Sequence, residues 1–570
     1  MTLKSQWLWA IGLFVLVGIV VLGVRPLVPP DEPRYGIIAS EMAETGHWLS
    51  LRMAGFAYYE KPPLAYWLMA SSLSVFGESA FALRLPCALA TGVTALVTAW
   101  IVVRITGRKS LGPAAFAVQA TTMGPAVLGT VAIIDPIFTM WTTLSLAAFL
   151  GAATSTARAR LGWLAVTGAA AGFALLSKGL LGLAIPGAAA FAFLAWERRW
   201  RDLVRMPWVP MVAAAIVVAP FAWALHRAEP EFWRYFLVVE HWRRFAAPDS
   251  NQHGEPWWFF LAVLPIGGCM WTLLWWQGAG RLPRTLRDLD APSALRSGVR
   301  FALAWVIAPL VLLSLSRGKV PTYILPLFPA VAVLVTIGLA AAFEGGALSA
   351  GIARRSGRWI LRILALASLA VAVFGTQWFG LDTPWASGVA LRGSLFALAF
   401  LLWARLDRWS WKARESSDWL LRMATAPVAV IAMIPALFPT AGIRTTATPW
   451  ATLAANSTVL VDANELLTTS QMAHCVSWQT HRRDLVIVGH PSEFDNELGR
   501  PEELARLVTL EVAIERVRSA IVARRSIAVV LLPREAEQVA KAAGIPAPSS
   551  KSVDGDIAIY GWWPKPEGTP

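Results

Sequence analysis

Ionisable side chains stand at the edges of long apolar segments, where they could act on a substrate at a membrane surface. Two of these groups, Glu60 and Lys61, are adjacent in sequence and opposite in charge. A charge at the edge of a membrane domain is costly and therefore needs a reason. A single cavity that all of them share explains the pattern better than unrelated surface charges do. The full set of candidates is Asp31, Glu32, Arg34, Glu60, Lys61, Asp135, Lys178 and Lys319.

The lysines indicate what this cavity binds. Arginine supplies most of the positive charge of the chain, yet Lys61, Lys178 and Lys319 all fall in loops that the topology below places on the outer side of the membrane. A compact ammonium group suits a phosphate or pyrophosphate held as a point charge. A lipid presents its phosphate at this depth in a membrane, so the pattern favours a lipid phosphate as the ligand.

Each candidate also has a purely structural explanation. Asp31 would cap a helix, and Asp135 would do the same before a proline in the first helical turn. Lys61 would extend its ammonium group to the membrane interface. Ordinary loop or headgroup-level positions would account for Lys178, Lys319 and His241. Residue types alone leave both explanations open.

The composition indicates a membrane protein. The 570 residues are 56% hydrophobic and 15% charged, with a mean hydropathy of +0.53, whereas soluble domains carry about 25% charged residues. The net charge of +14 lies mostly in short loops, so it does not indicate nucleic acid, and three distant cysteines indicate no disulfide or zinc framework. Runs of spanning length are predicted at 7–24, 84–104, 111–129, 133–150, 162–177, 179–196, 207–225, 257–277, 300–316, 320–341, 359–378, 389–404 and 420–440.

Basic residues in the short loops predict the orientation of these thirteen spans. The loop after every even-numbered span is rich in arginine, which places those loops in the cytoplasm. The odd-numbered loops and the C-terminus then face outward. The first outward loop, 25–83, is predicted to hold two short helices at 33–45 and 62–76, whose apolar residues suit the bilayer surface.

The predicted fold class is an all-α polytopic membrane domain of about thirteen transmembrane helices with a small soluble α/β domain at the C-terminus. The boundary is predicted between a membrane domain at 1–444 and an outer domain at 445–570, where the composition changes. In the outer domain, short apolar runs predict buried strands at 458–461, 485–488, 527–532 and 557–560. Helices are predicted at 501–524 and 534–543.

Three segments near the N-terminus resemble a known family when they are taken together. They are Asp31-Glu32-Pro33-Arg34-Tyr35, the run from Tyr58 through Glu60-Lys61-Pro62-Pro63 to Trp67, and Phe81 to Pro86. They are similar to the start of the membrane glycosyltransferases with the GT-C fold. Within these, the chain most resembles the bacterial aminoarabinose transferases of lipid A, which are relatives of the protein O-mannosyltransferases. The resemblance continues in order through Ile134-Asp135-Pro136, Ser177-Lys178-Gly179, 232–241 and 318–326.

The resemblance implies a multi-pass pentosyltransferase of the bacterial inner membrane with its active site in the periplasm. It would move 4-amino-4-deoxy-L-arabinose from undecaprenyl phosphate to a lipid A phosphate, which lowers the negative charge of lipid A and gives resistance to polymyxin and cationic peptides. The expected partners are this donor, lipid A and membrane lipids, with no nucleic acid, and we expect a monomer.

The resemblance also implies roles for individual residues. Asp31 would be essential for activity, and Lys61 and Arg34 would hold the carrier phosphate. Asp135 would be a further catalytic residue of the same cavity, and Tyr323 would belong to that cavity too. The remaining substrate-binding residues of the matching segments are Tyr35, Tyr58, Glu60, Lys178, Lys319 and His241.

The proposed chemistry suits these residue types. Breaking the sugar–phosphate bond expels a lipid phosphate, and cations at its oxygens stabilise the charge that develops, so no cofactor is required. A lipid A phosphate is already an anion, and Asp31 would then orient the acceptor or bind the sugar amine. A hydroxyl acceptor would instead require Asp31 to act as a general base. Glu60 and His241 offer a carboxylate and an imidazole to a divalent metal, which we expect to be structural or inhibitory.

Two alternatives stay open. A related transferase that uses another sugar or acceptor, such as a core sugar or a protein hydroxyl, would share the donor chemistry. The segment 36–40 differs from the acid- and arginine-containing stretch expected in aminoarabinose enzymes, which leaves the sugar open. A membrane transporter is the alternative outside the enzymes, but transporters place their charges near the bilayer midplane, and here the charges gather at one edge.

Overall fold

The chain forms two compact units in the computed structural model. The structure describes residues 1–236, 255–288, 292–316, 318–345, 361–370, 372–373, 383–437, 444–494 and 500–564. The helical unit comprises Met1–Val24, Arg84–Ala224 and Leu237–Leu437, and the mixed unit comprises Arg25–Leu83, Leu225–Phe236 and Phe438–Pro570. Contacts therefore group 25–83 with the C-terminal residues, whereas the predicted boundary at 444/445 groups it with the membrane domain.

Long apolar helices make up most of the helical unit. Six helical segments of the described ranges are long and apolar enough to cross a membrane: Ala80–Thr106, Asp135–Ala153, Ala157–Lys178, Trp200–Ala228, Ser293–Leu315 and Pro321–Glu344. The fourth segment consists of a short helix Trp200–Arg205 and a long helix Trp208–Ala228. The other helices of this unit are Leu3–Phe14 with a π-helical turn Val15–Ile19, Leu111–Ala120, Met123–Leu128, Leu181–Trp196, Phe259–Gly268, Met270–Ala279, Leu282–Arg287, Leu361–Ala370, Thr383–Ser410, Ser416–Thr425 and Val428–Leu437. Every predicted span overlaps a helix, so a multi-pass helical domain is confirmed, and the number of thirteen crossings stays a prediction.

Several predicted spans are broken into shorter helices. The span predicted at 111–129 breaks at Thr121 and Thr122, whose hydroxyls donate to the carbonyls of Ala117 and Val118 at 2.7 Å. Such bonds to the preceding turn compete with the helical ladder and bend helices. Hydropathy alone does not reveal these breaks, because it records only how apolar a segment is.

Small residues let helices of the helical unit approach closely. A Cβ atom added to Gly338, on the segment Pro321–Glu344, would lie 2.9 Å from the backbone oxygen of Gly278 on Met270–Ala279. Close approach of backbones through small residues is typical of helix packing in membranes. The buried Trp305 indole is hydrogen-bonded, since it donates to the Pro326 backbone carbonyl at 3.0 Å.

A short hairpin lies in the first part of the mixed unit. Strands β1 (Arg52–Met53) and β2 (Phe56–Ala57) pair in antiparallel fashion. The turn between them is formed by Ala54 and Gly55, which have φ of 51° and 82°. Two consecutive positive φ angles match the twist of a two-residue hairpin.

A six-stranded sheet forms the centre of the mixed unit. Its strands are β3 (Glu465–Thr469), β4 (Val486–Val488), β5 (Leu507–Val508), β6 (Ile527–Leu531), β7 (Ser550–Asp554) and β8 (Ile557–Trp562), in the order β5-β4-β3-β6-β8-β7. The first four strands are parallel, and β8 is antiparallel to both β6 and β7. The helices of this unit are Asp31–Thr45, Leu64–Phe76, Arg444–Ala455, Ser457–Asp462, Ser470–Thr480, Pro501–Leu504, Leu510–Val522 and Pro533–Lys541. The predicted small α/β region near the C-terminus is confirmed.

Two predictions for this region are wrong. The run 458–461 was predicted as a strand and is part of the helix Ser457–Asp462, while the strand begins at Glu465. A short apolar run fits either structure, and here Leu460 is buried while Val461 is 50% exposed, which suits a helix with one packed side. The helix predicted at 501–524 is interrupted by β5.

The two helices predicted in the first outward loop are present, and the apolar face of the first helix is covered by protein. The second helix leaves Val75 and Phe76 exposed by 73% and 59%. Asp31–Thr45 and Leu64–Phe76 pack together, and Ile38 and Met42 are buried. A Cβ atom on Gly36 would lie 2.8 Å from the indole ring of Trp478. For the first helix, contact with protein therefore replaces the predicted contact with lipid, and the close approach of Trp478 accounts for a glycine at position 36. For the second helix, contact with the bilayer surface stays a prediction.

Candidate active site

Two neighbouring acidic residues at the start of the helix Asp31–Thr45 have different environments. The Glu32 carboxylate is fully buried, and it accepts from the Arg25 guanidinium at 2.8 Å and the Val28 amide at 2.7 Å. Asp31, the first residue of the helix, keeps 51% of its side chain exposed and forms an ion pair with Arg34 one turn later. Glu32 thus holds the N-terminal end of the helix in place, and the Asp31 carboxylate is exposed at the protein surface.

Aromatic side chains surround the Arg34 guanidinium. Its Nη2 atom lies 3.5 Å from the Tyr35 hydroxyl, and its Cζ atom lies 5.1 Å from the centroid of that ring. Tyr66 packs edge-on against both Tyr35 and Tyr58, with centroid distances of 5.7 and 6.1 Å. Burial raises the pKa of Tyr58 and Tyr66 well above the usual tyrosine value, and nearby tyrosines add to this effect. Both phenols are therefore neutral at any physiological pH.

Glu60 and Lys61 complete this group of residues. The Lys61 Nζ atom donates to the Glu60 backbone carbonyl at 3.3 Å and lies 3.9 Å from the Glu60 carboxylate. The Tyr58 hydroxyl lies 3.5 Å from the same carboxylate. We call this group the tyrosine cluster, and its members are Asp31, Arg34, Tyr35, Tyr58, Glu60, Lys61 and Tyr66.

The tyrosine cluster unites six of the predicted site residues. It holds two cations and two carboxylates, so each cation already has an anionic neighbour that a phosphate oxygen can replace. Sequence reasoning missed Tyr66, which joins the two halves of the cluster through its ring. Its signal was available, because it follows Lys61 within the most specific matching segment.

Glu229 was also missed, and it supports the loop that carries the cluster. Its carboxylate accepts from the Tyr59 hydroxyl at 3.0 Å, the Ser50 hydroxyl at 3.1 Å and the Arg500 guanidinium at 3.1 Å. Burial and the Glu229 charge together raise the pKa of Tyr59 well above its usual range. A carboxylate after an apolar helix gives no sign of such a role from sequence.

A second group of predicted residues meets in the helical unit. Asp135 is the first residue of Asp135–Ala153, and Lys178 is the last residue of Ala157–Lys178. Because these helices pair and run in opposite directions, the two residues meet and form an ion pair with side chains only 8% and 7% exposed. Each charge also complements the helix dipole at its own terminus.

The Lys178 ammonium is held over two aromatic rings as well. Its Nζ atom lies 4.4 Å from the Tyr323 ring centroid and 5.6 Å from that of Phe138. Cation–π contacts of this kind are strongest where water is excluded. The helical unit therefore unites three predicted residues, here called the lysine cluster with members Asp135, Lys178, Tyr323 and Phe138. Phe138 was missed, although it lies one helical turn after Asp135.

Three candidate residues are outside both clusters, and Glu32, which pairs with Arg25, is one of them. Lys319 is buried, and its Nζ atom donates to the Glu255 backbone carbonyl at 2.9 Å. His241 lies outside the described residues, so its predicted partnership with Glu60 at a metal stays a prediction. Among the residues with described positions, the carboxylates of Glu44 and Glu78 and the imidazole of His481 place ligand atoms within 4.8 Å of one another, and all three are exposed.

The chain is similar in sequence to known glycosyltransferases. A family model for dolichyl-phosphate-mannose-protein mannosyltransferase matches residues 4–236. An undecaprenyl phosphate-alpha-4-amino-4-deoxy-L-arabinose arabinosyl transferase of Pseudomonas savastanoi is 34% identical over 87% of this chain and 90% of its own length. The enzyme of the same name from Edwardsiella ictaluri is 32% identical over 94% of this chain and 95% of its own.

Solved structures show the same fold over nearly the whole chain. ArnT from Cupriavidus metallidurans in the apo state has a TM-score of 0.79, and the same protein bound to undecaprenyl phosphate has a TM-score of 0.78. Each is 22% identical in sequence and covers 98% of both chains. The GT-C-like membrane fold is thus confirmed. By its sequence similarity, the chain belongs to the family of undecaprenyl phosphate-alpha-4-amino-4-deoxy-L-arabinose arabinosyl transferases and is a glycosyltransferase.

Proposed function

We propose that this protein transfers 4-amino-4-deoxy-L-arabinose from undecaprenyl phosphate to a phosphate of lipid A at the periplasmic face of the inner membrane. The observation that carries the proposal is the 34% identity over nearly the full length of a transferase with this donor and sugar in its name. The two clusters supply the cations that such a reaction needs. Arginine-rich loops after the even-numbered spans support the orientation.

Lys61 and Arg34 are the residues we assign to the carrier phosphate. Each cation is partly buried and has a carboxylate neighbour, Glu60 or Asp31, which keeps it in place before a substrate arrives. A phosphate oxygen would take over these contacts as the sugar–phosphate bond stretches. Cations that are already positioned stabilise the developing charge without reorganisation.

Lys178 is the cation we assign to the lysine cluster. Asp135 and two aromatic rings hold its ammonium group in an almost fully buried position. A lysine fixed in this way can bind a phosphate oxygen of donor or acceptor as a point charge. Asp135 then acts as its positioning residue.

Asp31 is the half-exposed carboxylate of the tyrosine cluster. A lipid A phosphate is an anion at neutral pH and attacks without a general base. Under this proposal Asp31 pairs with the sugar ammonium or orients the acceptor. The charge on the leaving phosphate is balanced by lysine and arginine, so the proposal requires no metal ion.

The test is mass spectrometry of lipid A from a transferase-deficient strain that carries variants of this chain. We expect Lys61→Ala and Asp31→Asn each to abolish the addition of one aminopentose while the protein still inserts in the membrane. Matched controls are Lys541→Ala and Asp556→Asn, which change exposed residues of the same unit. Near-normal modification by both site variants would refute the site, and no modification by the unaltered chain would refute the sugar or the acceptor.

A hydroxyl acceptor is the alternative that one observation favours. The family model that matches residues 4–236 is that of a mannosyltransferase acting on protein. In that case Asp31 would take the hydroxyl proton as a general base. Unmodified lipid A together with a glycosylated protein or core sugar would favour this alternative. The family is one of transferases, which speaks against a transporter.

A further inference from the structure

A groove of about 600 Å³ lies within the helical unit, apart from the lysine cluster. It is bounded by the helices Asp135–Ala153, Ala157–Lys178, Leu181–Trp196 and Trp208–Ala228. The lining is almost entirely apolar, as shown by Leu146, Phe149, Leu164, Ala171, Phe191 and Met211.

The polar side chains in the lining are turned toward the protein. The Ser145 hydroxyl donates to the Thr167 carbonyl at 2.9 Å, and the Thr167 hydroxyl donates to the Trp163 carbonyl at 2.8 Å. Each hydroxyl proton is thus used within the helices. An occupant that needs hydrogen bonds from these side chains gains little here, whereas a hydrocarbon chain fits.

The groove opens sideways to the surface of the helices. Phe191 and Met211 each leave 59% of their surface exposed, and a Cβ atom on Gly187 would meet nothing within 4 Å. Because helices of this length and hydropathy cross a membrane, this opening faces lipid. The occupant can enter directly from the bilayer.

One end of the groove is strongly basic. Leu203 and Met206 line the groove, and the short helix Trp200–Arg205 that carries Leu203 also carries the exposed side chains of Arg201 and Arg205. The segments 157–160 and 197–205 together hold six arginines and two carboxylates.

The two carboxylates at this end are already paired. Arg199 and Arg160 contact Asp202 at 2.6 and 3.5 Å, and Arg300 contacts Glu197 at 3.3 Å. Arginines of the protein therefore neutralise both carboxylates. The exposed arginines give this end of the groove a net positive charge, which attracts an anion.

This basic end lies far from the lysine cluster. Arg199 donates to the carbonyl of Ala153, at the opposite end of the helix from Asp135. The helix has 19 residues, which at 1.5 Å per residue separates its ends by about 28 Å, close to the thickness of the hydrocarbon core. A lipid whose phosphate lies at the basic end therefore belongs to the leaflet opposite the lysine cluster.

We infer that this groove binds an acyl chain of an anionic phospholipid, with the headgroup phosphate at Arg201 and Arg205. Basic pockets between transmembrane helices recognise anionic headgroups in this way. The exposed indoles of Trp200 and Trp208 suit the headgroup level. This lipid is separate from the sugar donor and the acceptor, and its role is to stabilise the packing of the four helices.

The test compares phosphatidylglycerol with phosphatidylcholine as additives to the purified full-length protein in detergent. A ligand that binds only the folded state raises Tm, so we expect phosphatidylglycerol to raise the Tm of the unaltered protein more than phosphatidylcholine does. Gly187→Trp, which fills the groove, should abolish the shift from both lipids. The double variant Arg201→Glu, Arg205→Glu should lose only the preference for phosphatidylglycerol, and it changes exposed side chains alone.

Gly12→Trp is the matched control, because a Cβ atom there also meets nothing within 4 Å and Gly12 does not line the groove. It should respond to lipid like the unaltered protein. Equal shifts from the two lipids in the unaltered protein, or a full shift in Gly187→Trp, would overturn the inference. So would displacement of bound phosphatidylglycerol by undecaprenyl phosphate at equal concentration, since the carrier tail would then be the occupant.

Discussion

At the scale of single residues, burial separates carboxylates that hold the fold from those that are available for chemistry. Glu32 is fully buried with Arg25, whereas its neighbour Asp31 is half-exposed beside Arg34. The sequence Asp-Glu-Pro-Arg predicted that this segment matters, but it could not say which carboxylate faces a substrate. That distinction depends on Arg25 folding back onto the helix end, a contact that no local pattern encodes.

The first prediction concerns the buried pair. Glu32→Ala should destabilise the protein by about 3–5 kcal/mol, because it removes the carboxylate that neutralises the buried Arg25 guanidinium. Thermal unfolding of the purified protein measures this effect. Glu515→Ala, at a carboxylate 60% exposed, is the matched control and should change little. Equal stability of the two variants would show that Glu32 does not hold the helix end.

The second prediction concerns pH. Because burial raises the pKa of Tyr58 in the folded state, its stabilising contribution is complete below the unfolded value of about 10 and is lost as pH rises above it. The free energy of unfolding should therefore fall above pH 10, by at most about 1.4 kcal/mol per pH unit from this one group.

Unfolding measured from pH 7 to 11 tests this, with Tyr58→Phe as the comparison. The variant should show a weaker decline above pH 10 and the same pH dependence as the unaltered protein below pH 9. A decline of equal steepness in both proteins would mean that Tyr58 ionises as easily in the folded chain as in the unfolded one.

At the scale of elements, the ends of two paired helices bring the charged side chains of Asp135 and Lys178 together. The helices Asp135–Ala153 and Ala157–Lys178 are joined by a tight connection, so the start of one and the end of the next lie together. The spacing of apolar runs predicted both helices, and their facing ends form the Asp135–Lys178 ion pair. A single cavity shared by all the charged candidates stays a prediction. Phe138 was not predicted, because an aromatic residue in an apolar helix looks the same whether it packs on lipid or on a cation. Tyr66 was missed although it lies in the matching segment that contains Lys61.

Element boundaries show where sequence patterns are insufficient. The helices of the outer loop were predicted to within a few residues, yet the apolar face of Asp31–Thr45, which protein covers, was assigned to lipid. Hydrophobicity does not reveal what covers an apolar face. The strand predicted at 458–461 is helical for a related reason. The β-branched residues of 458–461 would favour a strand only where a neighbouring strand is available. The position beside β6 is taken by β3, which begins at Glu465.

The third prediction belongs to the paired helices. Lys178→Ala should lower transfer by about 100-fold or more, since removal of one preorganised donor to a developing charge has effects of this size. Lys109→Ala, at an exposed lysine of the same unit, should leave transfer unchanged. The rate of aminopentose addition to lipid A is the readout. Normal rates in Lys178→Ala would assign the lysine cluster to structure alone.

At the scale of the whole molecule, an apolar helical unit and an α/β mixed unit each carry one group of the proposed site residues. Composition predicted both kinds of fold, because the charge content changes sharply along the chain. It could not predict that the first outward loop folds with the C-terminal residues, since the contacts involved join positions more than 400 residues apart. The Arg52–Glu503 ion pair at 3.1 Å and the Arg483–Glu44 ion pair at 2.5 Å are examples.

The central claim is tested most directly by transfer with the purified full-length protein in lipid vesicles. Undecaprenyl phosphate carrying 4-amino-4-deoxy-L-arabinose is supplied as donor and lipid A as acceptor, and the mass of lipid A is followed with time. We predict an increase by one aminopentose per modified phosphate, which Lys61→Ala abolishes and Lys541→Ala preserves. Unchanged lipid A in the presence of intact donor and folded protein would contradict the account.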